Sequence, residues 1–119
     1  NVRYSIKIYK NFEGGELVDL LSSQEGDMEH IGFHTIDLDW RVRLHAGDKF
    51  YVYLKLSAGG HAFDRTSDVP VLLGASYRTI VTSHANPGES FYRSGNSWID
   101  LTLDNATANF CIKALTAKD

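Results

Sequence analysis

The stretch that decides the fold class lies at residues 86–102 and reads Asn-Pro-Gly-Glu-Ser-Phe-Tyr-Arg-Ser-Gly-Asn-Ser-Trp-Ile-Asp-Leu-Thr. Its first three residues are typical of a turn, because proline fixes φ and glycine can supply a positive φ. Ser-Gly-Asn at residues 94–96 repeats this signal. Two short extended pieces, residues 90–92 and 98–102, flank the second turn, so the stretch predicts a β-hairpin with aromatic side chains on both strands.

Alternating apolar and polar residues predict strands elsewhere in the chain. Residues 49–56 give the clearest pattern, with apolar side chains at the even positions, which we expect to face inward. Tyr51, Tyr53 and Lys55 occupy odd positions, so we expect them on the outer face. Residues 4–9 alternate in the same way, which indicates a half-buried strand.

The remaining segments complete an all-β pattern. Residues 17–23 fit a strand or a short helix, and we favour the strand because the segment is short and partly serine-rich and a turn is expected at residues 24–27. We also expect strands at residues 29–38 with a continuation to 44, at 78–83 and at 110–115, turns at 11–15, 45–48 and 104–107, and a long loop at 57–70, while the apolar run at 71–73 is too short to classify. About eight short strands without a substantial helix predict a single antiparallel β-sandwich, jelly-roll-like in plan, over residues 1–119.

The composition limits the classes of function. The chain has 119 residues, enough for one domain with one core. It has 12 basic and 15 acidic residues and a formal charge of −3, which does not favour nucleic acid as a partner. No run approaches the roughly 20 apolar residues of a membrane span. The single cysteine, Cys111, excludes an internal disulfide, and we interpret it as a small apolar side chain within a strand.

The run Pro-Gly-Glu-Ser-Phe-Tyr, followed by a glycine-containing turn and Trp-x-Asp-Leu, resembles part of a known family. It is similar to the C-terminal part of the lectin-like β-sandwich domain found beside papain-type (C1) peptidase domains in secreted and cell-surface bacterial and archaeal proteins, and more distantly to carbohydrate-binding modules. Residues 4–9, 31–35, 42–48 and 109–115 match the rest of that family's plan. The resemblance covers most of the chain and implies a secreted or cell-surface location with an adjacent peptidase domain as a partner. It carries over no catalytic residue and no ligand site.

The family usually opens with a further strand before the segment at residues 4–9, whereas this chain begins at Asn1. We therefore expect that the first strand is lacking and that the chain either self-associates or is completed by a strand from upstream sequence or another protein. In that case residues 4–9 would form a free sheet edge, and adding roughly 20 to 30 native upstream residues would stabilise the domain.

No pattern indicates catalysis or a defined metal site. His30 and His34 have the spacing of a helical metal pair, but in the expected strand their rings would lie about 13 Å apart, too far for one ion. Asp37 and Asp39 have the separation that glycoside hydrolysis needs, yet we interpret them as solvated acids or as ligands of calcium. We therefore expect no catalytic residue and no cofactor, with calcium left open as an alternative.

The aromatic side chains favour carbohydrate as the ligand. A sugar has flat patches of C–H with hydroxyls around the rim, so its sites combine aromatic rings with a few polar groups. Trp98 falls in the opposite phase to Ile99, which would turn it outward beside Asp100; the alternative, that it folds over the sheet edge and caps the core, stays open. Trp40 shares parity with Val42, which favours an inward ring, but it lies at an expected bend where parity can be lost. We predict a carbohydrate site drawn from Trp98, Tyr92, Trp40, Tyr51, Tyr53 and Asp100.

Two functions from different classes are consistent with these features. The first is a non-catalytic carbohydrate-binding, lectin-like module of a larger secreted or cell-surface protein. The second is a structural or protein-interaction domain that docks on a peptidase domain or builds a surface assembly. An exposed aromatic patch favours the first function, whereas an uncovered strand edge or a flat apolar face favours the second.

Overall fold

The computed structural model describes residues 1–30, 32–70 and 78–117. Over these ranges the chain has nine strands, all paired antiparallel, and one short 3-10 helix. This confirms the predicted all-β, antiparallel, sandwich-type fold with about eight strands and no substantial helix. The chain divides into two compact units, Asn1–Gly60 and His61–Asp119; its interpretation as one domain stays a prediction. Within the described ranges, no helix is long and apolar enough to cross a membrane.

The first unit contains a three-stranded antiparallel sheet in the order β2-β1-β3. Its strands are β1, Val2–Glu13; β2, Glu16–Met28; and β3, Tyr51–Leu56. β1 and β2 form one long hairpin, turned by Gly14 and Gly15 with φ of 60° and 80°. A type I′ hairpin turn requires such positive values, and glycine adopts them without strain. Since β1 pairs on both sides, the prediction that residues 4–9 form a free edge is wrong.

A β-bulge interrupts the long hairpin. Ile8 pairs with Ser22 while Tyr9 pairs with Leu20, so Leu21 is an extra residue in β2. Bulges bend a strand and increase its twist, which hinders pairing with a further chain at a sheet edge. β2 is an outer strand of this sheet, so the bulge protects its edge.

The register of the sheet separates its side chains into two faces. Cross-strand partners share a face, and the register places Ile6 opposite Leu54 and Ile8 opposite Val52. These four side chains are buried or half-buried, and Ile8 is only 7% exposed, so they define the inner face. The opposite, outer face carries the odd-numbered residues of β1 and β3, including both tyrosines of β3, as predicted. The hydrophobic core of this unit therefore lies against the inner face.

The segment at residues 32–50 leads to β3 without forming a strand. The strand predicted at residues 29–38 and its continuation are therefore wrong for the described residues, and main-chain groups of Asp37 and Asp39 bond to the Gln24 side chain instead of to a strand. Ile31, which lies within that prediction, is outside the described residues. The expected turn at residues 45–48 is confirmed, since the N–H of Asp48 donates to the carbonyl of His45 at 3.0 Å.

The turn predicted at residues 24–27 is wrong, because β2 continues to Met28. Gln24 pairs with Ile6 and Gly26 pairs with Tyr4, so the hairpin gains ladder hydrogen bonds from residues whose types favour a turn. The same pairing confirms that residues 17–23 form a strand rather than a helix.

In its described residues, the second unit contains three two-stranded pairs. Its strands are β4, Phe63–Asp64; β5, Ser67–Pro70; β6, Arg78–Val81; β7, Phe91–Ser94; β8, Ser97–Asp100; and β9, Asn109–Phe110. β4 pairs with β9, β5 with β6 and β7 with β8, and the 3-10 helix Leu101–Leu103 follows β8. The hairpin of β7 and β8 confirms the prediction made from the stretch at residues 86–102.

Side-chain hydrogen bonds connect the short strands of this unit. The Ser90 hydroxyl donates to Asn109 Oδ1 at 2.7 Å and accepts from the Phe110 N–H at 3.2 Å, and the Ser90 carbonyl accepts from the Leu101 N–H at 2.8 Å. Leu101 and Ala108 are the buried apolar residues among the described part of this unit. The long closing strand predicted at residues 110–115 is wrong, because its partner β4 is only two residues long. The apolar run at residues 71–73 lies outside the described residues.

Candidate functional site

The outer face of the three-stranded sheet carries a patch of aromatic rings. Tyr9 of β1 lies directly opposite Tyr51 of β3, and Tyr53 lies two residues farther along β3 on the same face. Directly opposite residues have Cβ atoms about 5 Å apart, and alternate residues of one strand lie about 6.6 Å apart. Each ring is half-buried, so each leaves part of its surface to solvent. We call Tyr9, Tyr51 and Tyr53 the tyrosine face.

Two neighbouring side chains shape the tyrosine face. The ring centroid of Phe12 lies 5.8 Å from that of Tyr51, with the two planes inclined by 34°. Lys7, directly opposite Tyr53, holds its Nζ 5.3 Å from the centre of the Tyr53 ring, a cation–π distance. The tyrosine face is therefore cationic beside Lys7, and the Phe12 ring, which belongs to the other phase of β1, contacts Tyr51 at the end of the strand.

The other end of the outer face is polar, with one guanidinium between two carboxylates. Arg3 forms ion pairs with Glu25 and with Asp27, each at 3.3 Å. The hydrogen bond to Glu25 and the charge of Asp27 raise the pKa of the Arg3 guanidinium above its ordinary value. Ser5 and Ser23, which lie opposite Glu25 and Lys7, bring hydroxyl groups to the border between the ion pairs and the tyrosine face.

Trp40 belongs to the first unit but not to the tyrosine face. The side-chain amide of Gln24, whose partner Ile6 lies on the inner face, donates to the Asp37 carbonyl at 3.1 Å and accepts from the Asp39 N–H at 2.8 Å. The main chain bends at residues 39 and 40, and Trp40 is 81% exposed. The bend interrupts the alternation of inward and outward side chains. The Trp40 ring therefore faces solvent, although its shared parity with Val42 favoured an inward position.

The other predicted aromatic residues lie in the hairpin of the second unit. Arg93 pairs with Trp98 and Tyr92 pairs with Ile99, so Trp98 and Tyr92 lie on opposite faces of this hairpin. The Arg93 guanidinium lies 5.3 Å from the centre of the Trp98 ring, and both Trp98 and Tyr92 are half-buried. A hydrogen bond to the Asp104 carboxylate raises the pKa of the Tyr92 hydroxyl.

Asp100 shares a face with Trp98, but its carboxylate already has protein partners. Oδ1 accepts from the Thr102 hydroxyl at 2.6 Å and from the Thr102 N–H at 2.9 Å, and Oδ2 accepts from the Gly88 N–H at 2.6 Å. These hydrogen bonds, the Thr102 hydroxyl first, lower the pKa of Asp100 against the opposing effect of desolvation. Asp100 thus caps the 3-10 helix and connects it to the turn at residues 86–88.

The described residues contain no group of three or more His, Cys, Asp or Glu side chains arranged to hold a metal ion. The Nε2–H of His34 donates to the His30 carbonyl at 2.6 Å, so these histidines do not have the extended spacing predicted for a strand. Cys111 is exposed, and its interpretation as a small apolar residue inside a strand is wrong, because β9 ends at Phe110. Partial desolvation and the Asp64 carboxylate raise the pKa of the Cys111 thiol, which disfavours a reactive thiolate.

The six predicted site residues therefore fall into separate groups. Tyr51 and Tyr53 lie together on the tyrosine face, Trp40 lies elsewhere in the first unit, and the remaining three lie in the second unit. Sequence reasoning missed Tyr9 and Lys7 as members of the same surface. Both lie at odd positions of residues 4–9. Only the register between β1 and β3 shows that these positions are on the same side of the sheet as the tyrosines of β3.

The fold and this surface define a class of protein, an antiparallel β-module with an aromatic face that is bordered by charged and hydroxyl groups. The chain belongs to the lectin-like domain family, since the model of that family, described as a lectin like domain, matches residues 1–116. Comparisons with curated proteins and with solved structures gave no match. The resemblance to lectin-like domains is thus confirmed, whereas the association with C1 peptidases and with carbohydrate-binding modules stays a prediction.

Proposed function

We propose that this protein is a non-catalytic carbohydrate-binding module in which a sugar ring stacks on the tyrosine face. The observation that carries the proposal is the pairing of Tyr9 with Tyr51 beside Tyr53 on the outer side of one sheet. Membership of the lectin-like family supports the same ligand class.

The tyrosine face has the mixture of groups that a sugar requires. The C–H patches of a pyranose ring pack on aromatic rings, and its hydroxyls need hydrogen-bond partners at the edge of the patch. Here Ser5, Ser23 and the Lys7 ammonium lie at that edge. Since the rings project from paired strands of a sheet, binding orders few additional groups, which keeps its entropic cost low.

Binding to a glycan array, followed by calorimetry with the best glycan, tests this function. The double variant Tyr51→Ser/Tyr53→Ser should remain folded, and each lost ring should weaken binding by about 0.5 to 1.5 kcal/mol, roughly two- to tenfold. Tyr92→Ser, which removes a tyrosine of equal size from the second unit, is the matched control and should bind like the wild type. If Tyr92→Ser abolishes binding and the double variant does not, the sugar site belongs to the hairpin of β7 and β8 instead.

We propose further that the module is part of a larger secreted or cell-surface protein and that a peptidase domain accompanies it. The resemblance of the stretch at residues 86–102 to domains beside C1 peptidases supports this context. Fractionation of cells that express the complete natural gene product tests the location, and recovery of the product from the cytosol alone would refute it.

A protein-interaction role is a second candidate, favoured by two aromatic residues outside the tyrosine face. Phe33 is 91% exposed and Trp40 is 81% exposed, and both lie in the strandless segment at residues 32–50. Exposed aromatic rings of this size commonly serve as anchors at protein interfaces. The variant Phe33→Ser/Trp40→Ser separates the two roles: it should leave glycan binding intact but prevent copurification of a peptidase domain if that domain docks here.

A further inference from the structure

Charged side chains are unevenly distributed over the outer side of the three-stranded sheet, which includes the tyrosine face. At one end, Arg3 forms ion pairs with the carboxylates of Glu25 and Asp27 on the neighbouring strand. Since one guanidinium faces two carboxylates, this end of the face is occupied by acidic side chains that Arg3 only partly neutralises. The register then brings Lys55 and Lys7 next, between the ion pairs and the tyrosines.

The two lysines lack acidic partners among the residues that the structure describes. No carboxylate there lies within ion-pair distance of Lys7 or Lys55, and Lys55 is exposed. Lys7 instead holds its ammonium over the Tyr53 ring at 5.3 Å. A positive charge is thus positioned at the edge of the aromatic patch although the chain as a whole carries a formal charge of −3.

We infer that the ligand of the tyrosine face is an acidic sugar, namely a glycan containing hexuronate, whose carboxylate contacts Lys7. This inference rests on the proposed carbohydrate function and names its ligand class. The carboxylate of a hexuronate is attached directly to the pyranose ring, so its charge stays beside the ring that stacks on tyrosine. A sulfate ester projects farther from the ring, and a neutral hexose would leave the ammonium without an anionic partner.

The surrounding charges do not favour a polyanion such as nucleic acid. Nucleic acids are bound by many clustered Lys and Arg side chains. The outer face offers two lysines, and its arginine is engaged by Glu25 and Asp27. Two lysines beside an aromatic patch are enough to contact the carboxylates of one or two hexuronate residues.

Calorimetry with tri-galacturonate and with its fully methyl-esterified form tests the inference, since the two ligands share the same rings and differ in charge. At low salt we expect the acid to bind about three- to tenfold more tightly than the ester, as expected for exposed charge pairs, and the preference to decrease with added salt. Lys7→Met keeps the apolar stem near Tyr53 and should abolish the preference. Lys10→Met, which removes an exposed lysine of the same strand, should retain it.

The possible results separate this inference from the function on which it rests. Equal binding of acid and ester, or tighter binding of a sulfated galactan oligosaccharide, would overturn the inference while leaving carbohydrate binding in place. Absence of binding to every glycan, acidic or neutral, would overturn both. If Lys7→Met still preferred the acid over the ester, the inference would also be contradicted, because a group other than Lys7 would then contact the carboxylate.

Discussion

The ring of Tyr4 lies across the main chain of Gly26, its cross-strand partner on β2. A Cβ atom at position 26 would lie 2.6 Å from Cε2 and Cζ of that ring, closer than such atoms can approach. This contact explains why a glycine occurs in the middle of a 13-residue strand, where it would otherwise weaken the sheet.

Gly26→Ala should therefore destabilise the protein by about 1 to 3 kcal/mol, because the Tyr4 ring must move or the strands must separate. Gly60→Ala is the control, since a Cβ there meets open space and its main chain is not in the left-handed region. Denaturant titration gives both values. In a double-mutant cycle, Tyr4→Ala should reduce the cost of Gly26→Ala, and fully additive losses would show that this contact is not the cause.

The amide of Gln24 binds the main chain at Asp37 and Asp39 through both of its polar atoms. Gln24→Ala should cost about 1 to 2 kcal/mol, because two main-chain groups lose their partner. Ser23→Ala, on the outer face of the same strand, should change the midpoint little. Amide hydrogen exchange at residues 37–40 is the more specific measurement, and unchanged protection of the Asp39 N–H in Gln24→Ala would contradict the prediction.

The pKa of Asp100 is lower in the folded protein than its ordinary value, so its hydrogen bonds stabilise the fold when the carboxylate is ionised. That contribution is fully present above the ordinary pKa of about 4 and is lost as the pH falls through the lower folded value. Asp100→Asn should therefore cost about 1 kcal/mol at pH 7 and progressively less below about pH 4.

Asp37→Asn is the matched control, because the Asp37 side chain is exposed. Thermal unfolding measured from pH 7 to pH 2 should give parallel curves for this variant and the wild type, and a converging curve for Asp100→Asn. A constant difference at every pH would show that Asp100 acts through its shape and not through its charge.

The alternation of inner and outer side chains along β3 predicts unequal losses of stability for substitutions at adjacent positions. Val52 lies opposite the buried Ile8, so Val52→Asp places an unpaired carboxylate on the inner face and should cost several kcal/mol or prevent folding. Tyr53→Ser, on the outer face, should cost under about 1 kcal/mol. Denaturant titration compares the two, and equal losses would mean that the inner and outer faces are wrongly assigned.

Local chemistry made several elements predictable. The Ser-Gly-Asn turn between β7 and β8 and the clean alternation of residues 51–56 both depend on residues close in sequence. The extension of β2 through residues 24–27 was not predictable in this way, because Gln24 and Gly26 favour a turn by type and become strand residues only through pairing with Ile6 and Tyr4. Asp100 was correctly placed beside Trp98, but its hydrogen bond to the Gly88 N–H depends on a turn 12 residues away.

The sequence by itself determined the fold class, the phase of β3 and the presence of tyrosines on an outer face, since strand periodicity and turn propensity act over a few residues. Only the tertiary structure decided which aromatic residues meet. Tyr9 and Tyr51 are 42 positions apart, and the hydrogen-bond register between β1 and β3 brings them together. The exposure of Trp40 was decided in the same way, by a bend that the Gln24 side chain holds across 15 positions. Such contacts depend on how distant segments pair, which no local pattern of residues encodes.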